Sequence, residues 1–130
     1  MEELTKAEER IMQIFWKVDK AFVKDIIEQI DDEPKPPYNT ISSIVRILEK
    51  KGYLGYKAYG KTYEYFPIIT KENYAKTSFS KLFEGYFDSS PSSLLSFMVK
   101  EQSLTEKDIE ELQALINTNK KWYGMAHLPS

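Results

Sequence analysis

Asn39, Thr40, Ser42, Ser43, Arg46 and Lys50 place small hydrogen-bonding side chains at one end of a run and cations at the other. At about 100° per residue Asn39, Ser42, Ser43, Arg46 and Lys50 gather on the face opposite Ile41, Ile44, Val45 and Leu48, as the polar face of one helix. Amide and hydroxyl groups near a helix start can hydrogen-bond base edges or phosphates. A guanidinium such as that of Arg46 can take a guanine edge with two bonds or clamp a phosphate. Lys50 and Lys51 come late in the run, where the sugar-phosphate backbone is the natural target. Lys57 and Lys61 bracket Tyr59 and Gly60 in the following segment, within reach of flanking backbone or minor groove. The chemistry these residues suit is non-covalent recognition of double-stranded DNA; the solvated face of a protein-interaction module is the alternative.

Covalent chemistry has little to work with. His127 is the only histidine and stands close to the C-terminus, and there is no cysteine, phosphate-binding glycine loop, dinucleotide fingerprint or HExxH. Glu106, Asp108, Glu110 and Glu111 read as the wet face of an amphipathic helix rather than an acid/base pair. The chain is expected to be no enzyme and to need no metal or cofactor.

The elements that must position these residues follow from caps and periodicity. Thr5 with Glu8 fits a capping box, and Ala7, Ile11, Ile14, Phe15 and Val18 then repeat at helical spacing. Val23, Ile26, Ile27 and Ile30 mark a short second helix, which the prolines of DDEPKPP stop. The third helix runs from about Tyr38 to Lys51, with Gly52 as its C-terminal cap. Strands near Tyr53 to Lys57 and Thr62 to Phe66 are joined by a turn at Ala58 to Lys61, and Pro67 ends the hairpin. Helix, glycine stop and basic aromatic hairpin, in that order, read as a winged helix-turn-helix over residues 1–70.

From Thr70 the pattern is helical only. Phe79, Leu82 and Phe83 lie on one predicted helix, and Leu94, Leu95 and Met98 on a second that Ser90 and Pro91 begin. Ile109, Leu112, Leu115 and Ile116 lie on a third, opened by Thr105 and Asp108. Residues 71–118 thus form three amphipathic helices with little to bury against in one copy. Homodimerisation gives these faces a shared core; folding back on the N-terminal domain is the alternative. Residues 119–130 show no clear period and read as a tail. The fold class expected is mainly α with a small β-hairpin wing.

Net charge is −2, yet it is segregated. From Arg46 to Lys61 the cations Arg46, Lys50, Lys51, Lys57 and Lys61 face the single acid Glu49, so a local basic surface can meet phosphates while the rest stays acidic. The absence of cysteine excludes disulfides and thiolate metal sites. The charged N-terminus lacks the apolar run of a signal peptide, and no stretch approaches the ~20 apolar residues of a membrane-spanning helix. A soluble cytoplasmic protein is expected.

The segments LTKAEERIMQIFWK, TISSIVRILEKKGYL, TYEYFPII and LLSFMVKEQSLTEKDIEELQALI resemble the penicillinase-repressor (BlaI/MecI/CopY) family, in order, over about Leu4 to Asn117. The resemblance implies a homodimeric repressor whose winged helix binds a palindromic operator and whose C-terminal helices form the dimer interface. It implies base or phosphate contacts from Asn39, Thr40, Ser42, Ser43 and Arg46. Ser42 and Ile47 stand where arginine is common in the family, so a different operator, or weaker direct readout, is expected. In the resistance branch, a membrane-bound metalloprotease sensor leads to cleavage between an asparagine and a phenylalanine. The matching bond here is Ser96–Phe97, which keeps only the phenylalanine. Copper sensing through C-terminal cysteines is excluded. A winged-helix module that binds protein rather than DNA, and a sensor with an effector pocket between wing and C-terminal helices, are the alternative readings.

Overall fold

Thr5 begins the first helix with the reciprocal bonds its spacing from Glu8 predicts. The Glu8 amide donates to Thr5 Oγ1 at 3.2 Å and the Thr5 amide donates to Glu8 Oε1 at 3.0 Å. The computed structural model describes residues 1–101 and 103–126. It comprises two compact units, Met1–Ser78 and the chain from Phe79 onward.

In the N-terminal unit, α1 (Lys6–Val18), α2 (Val23–Glu28) and α3 (Tyr38–Lys50) precede a hairpin of β1 (Leu54–Tyr59) and β2 (Thr62–Pro67). Ile11, Met12 and Phe15 of α1 are buried with Val23 and Ile26 of α2 and with Ile41, Val45 and Leu48 of α3. Tyr53, Leu54 and Tyr65 complete this core from the hairpin side. Their spacing is the 3.6-residue period of helices meeting a sheet edge. Ala21 and Tyr65 exchange backbone hydrogen bonds of 3.0 and 2.8 Å, which ties the α1–α2 connection to β2. The Tyr53 hydroxyl donates to the Glu2 carbonyl, securing the N-terminal arm.

Two local features set the wing. Gly52 follows α3 with φ 84°, the left-handed turn that ends a helix without steric cost. The strands run further toward the tip than the sequence predicts. Tyr59 pairs with Thr62, so the turn is Gly60–Lys61 alone rather than the longer Ala58–Lys61 segment. Gly60, at φ 63°, supplies the positive φ that two-residue hairpin turns demand at their first position.

The N-terminal unit takes in the start of α4 (Lys71–Phe87). Tyr74 on that helix donates to Glu9 Oε1 at 2.9 Å, and its ring lies 5.5 Å from Trp16 and 5.8 Å from Tyr53. Burial, together with the bond to Glu9, pushes the Tyr74 hydroxyl up to about 12. Trp16 Nε1 donates to the Ile69 carbonyl at 2.9 Å. The compact N-terminal unit therefore extends to Ser78 rather than ending at Thr70, because Tyr74 anchors the first turns of α4 to α1.

The second unit holds the rest of α4, then α5 (Pro91–Lys100) and α6 (Glu106–Ala126). Ser90 Oγ caps α5 by accepting from the Ser93 amide, and Thr105 with Asp108 forms the box that starts α6. α6 is longer than its sequence period indicates. The segment expected as a tail from residue 119 is helical through Ala126, and His127 lies outside the described residues. Among the described residues, no helix is long and apolar enough to cross a membrane.

Candidate nucleic-acid interface

Packing of α3 against α1, α2 and the hairpin decides which of its side chains face outward. Asn39, Thr40, Ser43, Arg46 and Lys50 are exposed, as the periodicity predicts. Ser42 is not: it is 8 % exposed. At about 100° per residue it lies on the flank of the helix between the apolar stripe and the outer face, on the side that faces the wing. Ser42 Oγ accepts from Arg46 Nη2 at 3.4 Å, one helical turn on. Ile47 lies on the outer side of the helix, off its centre at Ser43 and Lys50, and is 42 % exposed. Hydrophobicity alone would assign it to the core; its helical position, opposite Ile41 and Val45, is the signal that places it outside.

Lys51 also departs from expectation. Its Nζ donates to Glu8 Oε1 at 2.6 Å and to the Glu3 carbonyl at 3.1 Å, so this cation is committed to α1. Glu8 is buried, and burial pushes its carboxyl up. Hydrogen bonds from Lys51 and Thr5, with the charge of Lys51, outweigh that and hold it below the ordinary value. Among the described residues, Arg46, Lys50, Lys57 and Lys61 make no ion pair, which leaves them open to an external anion.

The wing divides its side chains by strand alternation. Lys57 stands across from Glu64, and its Nζ lies 5.3 Å from the centroid of the Tyr59 ring. Tyr56, Tyr63 and Tyr65 occupy the other face, beside α3. Tyr56 and Tyr63 stack at 4.6 Å, and Lys61 is exposed at the turn. The exposed face of α3 and the basic wing tip thus belong to one unit with one core, the geometry of a winged helix-turn-helix.

The family model described as "Penicillinase repressor" matches residues 4–118. The chain belongs to the penicillinase repressor family. The methicillin resistance regulatory protein MecI of Staphylococcus aureus is 29 % identical over 119 residues, covering 88 % of this chain and 94 % of that protein. The penicillinase repressor of Bacillus licheniformis is 20 % identical over 118 residues, covering 91 % of this chain and 92 % of that protein. The solution structure of the DNA-binding domain of the repressor BlaI covers 55 % of this chain and 88 % of its own, at 25 % identity and a TM-score of 0.48.

The match of this penicillinase repressor family chain runs from α1 into α6 and so takes in both units. In the second unit, Phe79, Leu82, Ile109, Leu115 and Ile116 are exposed, while Phe83, Leu94, Leu95, Met98 and Leu112 are half-buried. Phe79 stacks on Phe83 at 5.3 Å, and Phe87 meets Phe97 edge-on at 5.4 Å. No side chain of α4 or α5 is buried. Ser96 and Phe97 are both exposed within the helical turns of α5.

Proposed function

We propose that this chain is a homodimeric transcriptional repressor that occupies a palindromic operator through α3 and its wing and so excludes polymerase from a promoter. The observation that carries this is the outer face of α3. It presents Asn39, Thr40, Ser43 and Arg46 to solvent, with Lys50 behind them and Lys61 at the wing tip, and none of these cations is spent on an internal ion pair among the described residues. In this reading Asn39, Thr40, Ser43, Arg46 and Ile47 meet base edges, and Lys50, Lys57 and Lys61 meet phosphates. Ser42 supports Arg46 from the side, and Lys51 holds α3 to α1.

Dimerisation belongs to the same proposal. The exposed apolar residues of α4, α5 and α6 are the surface that a second copy would bury, and a two-fold pair would present two α3 helices to two half-sites. Release by a membrane-bound metalloprotease sensor acting at Ser96–Phe97 fits the exposure of both residues. It requires α5 to unwind locally, because the bond lies within a helix. Fluorescence anisotropy of the full chain on duplex DNA tests the central reading. Affinity falls steeply from low to moderate salt if phosphates are neutralised, and a flat response favours a protein-binding module instead.

A further inference from the structure

A groove of about 610 Å³ opens between α3 and the wing, inside the N-terminal unit, and lies within the ~300–1,000 Å³ range of small-molecule sites. Tyr38 borders it from α3, Tyr56 and Tyr63 from the wing, and Phe22 from the start of α2. Tyr38, Tyr56 and Tyr63 are exposed, at 56 %, 47 % and 44 %. Aromatic walls on two sides suit a flat apolar body.

The charged groups lining the groove are mainly cationic, and two hydroxyls beside them have protons to donate. Tyr65 is 7 % exposed and lines the groove, yet its hydroxyl has no hydrogen-bond partner among the described residues. That hydroxyl is not sealed from solvent. Burial raises its pKa above the ordinary value, so it keeps its proton and remains a donor. Ser42, 8 % exposed, accepts from Arg46 and has no acceptor for its own proton among the described residues. Lys24, Arg46 and Lys61 line the groove against the single acid Glu49. Two hydroxyl donors and a guanidinium among aromatic walls match an anion on a planar ring.

We propose that this groove binds a small aromatic carboxylate, its carboxylate held by Arg46, Ser42 and Tyr65 and its ring held between the tyrosines of α3 and the wing. The site goes beyond the repressor reading and is independent of it, since it is measured on the free protein. Arg46 stands on the edge shared by the groove and the outer face of α3, so a bound carboxylate engages the guanidinium that the repressor reading assigns to DNA.

Isothermal titration of the full chain with naphthoate, with the neutral naphthalenemethanol of similar size, and with inorganic phosphate tests this. Naphthoate binds saturably, and naphthalenemethanol at least about 10-fold more weakly, the scale of a lost charge-assisted hydrogen bond. Tyr65→Phe, which removes only the hydroxyl, and Arg46→Gln each weaken naphthoate by a similar factor with an unchanged melting temperature. If Tyr65→Phe does not fold, Arg46→Gln with Ser42→Ala carries the comparison. Absence of saturable naphthoate binding, equal binding of the neutral analogue, or undiminished binding by the variants overturns the proposal. Phosphate binding that excludes naphthoate also overturns it, by making the groove a seat for a phosphate.

Discussion

Lys51 Nζ lies 2.6 Å from Glu8 Oε1 and joins the end of α3 to the beginning of α1. Glu8 is at the same time the return arm of the Thr5 capping box, so one carboxylate caps a helix and pairs a cation. The orientation of α3 relative to α1 depends on both.

This pair gives stability a definite pH dependence. The Glu8 carboxyl is held below its ordinary 4.5, so its contribution is present above that value and is lost as pH falls through the folded-state pKa. Lys51→Met removes the hydrogen bond and the charge of Lys51 that help lower it, and leaves only the bonds with Thr5 against burial. The variant is expected to melt below the parent at neutral pH, with a deficit that shrinks on acidification as the carboxylate takes a proton. Melting temperatures followed from neutral pH to below 4.5 check this, and a deficit independent of pH would contradict it.

Arg46→Ala is expected to cost about 1 to 3 kcal/mol of operator affinity and to relax one base position, whereas Lys61→Ala weakens all duplexes alike and lowers the salt slope by about one. Anisotropy titrations on matched and scrambled duplexes separate the two effects. Equal losses on every sequence for Arg46→Ala would move that residue to the backbone set.

Ile47 makes a sharper prediction because it is apolar on an otherwise polar outer face. A thymine methyl in the major groove is the base feature that an exposed aliphatic side chain matches. Replacing thymine by deoxyuridine, position by position, should weaken the parent chain at one site per half-operator and leave Ile47→Ala insensitive at that site. A parent equally tolerant of deoxyuridine everywhere would remove Ile47 from the readout set.

The dimer proposal is checked by sedimentation. The full chain is expected to sediment as a dimer, and a chain ending at Ser78, which keeps Tyr74 on Trp16 and Tyr53, as a folded monomer. A dimeric shortened form would place the interface in the N-terminal unit.

Much of this architecture was legible in the sequence because its signals are local. The Thr5–Glu8 box, the Gly52 stop and the Ser90 cap each act within a few residues, and the apolar period of α1 and α3 names their buried faces. What escaped depends on distant partners. Ser42 is polar and lies on a flank whose burial depends on where the wing folds, and Lys51 is a late-helix cation until Glu8 meets it from another helix. Tyr65 reads as one more strand aromatic; only the fold makes it a largely buried residue that lines a groove. The strand ends were misplaced because Ala58 and Tyr59 suit a strand and a turn alike, and the Tyr59–Thr62 pairing decides between them.

Selection of duplexes from a random pool by the full chain is the most direct measurement of the central claim that a pair of α3 helices reads DNA. An inverted repeat whose half-sites lie about one helical turn, or a whole number of turns, apart is expected to be enriched. Recovery of unenriched sequence, or of single half-sites without symmetry, would contradict it.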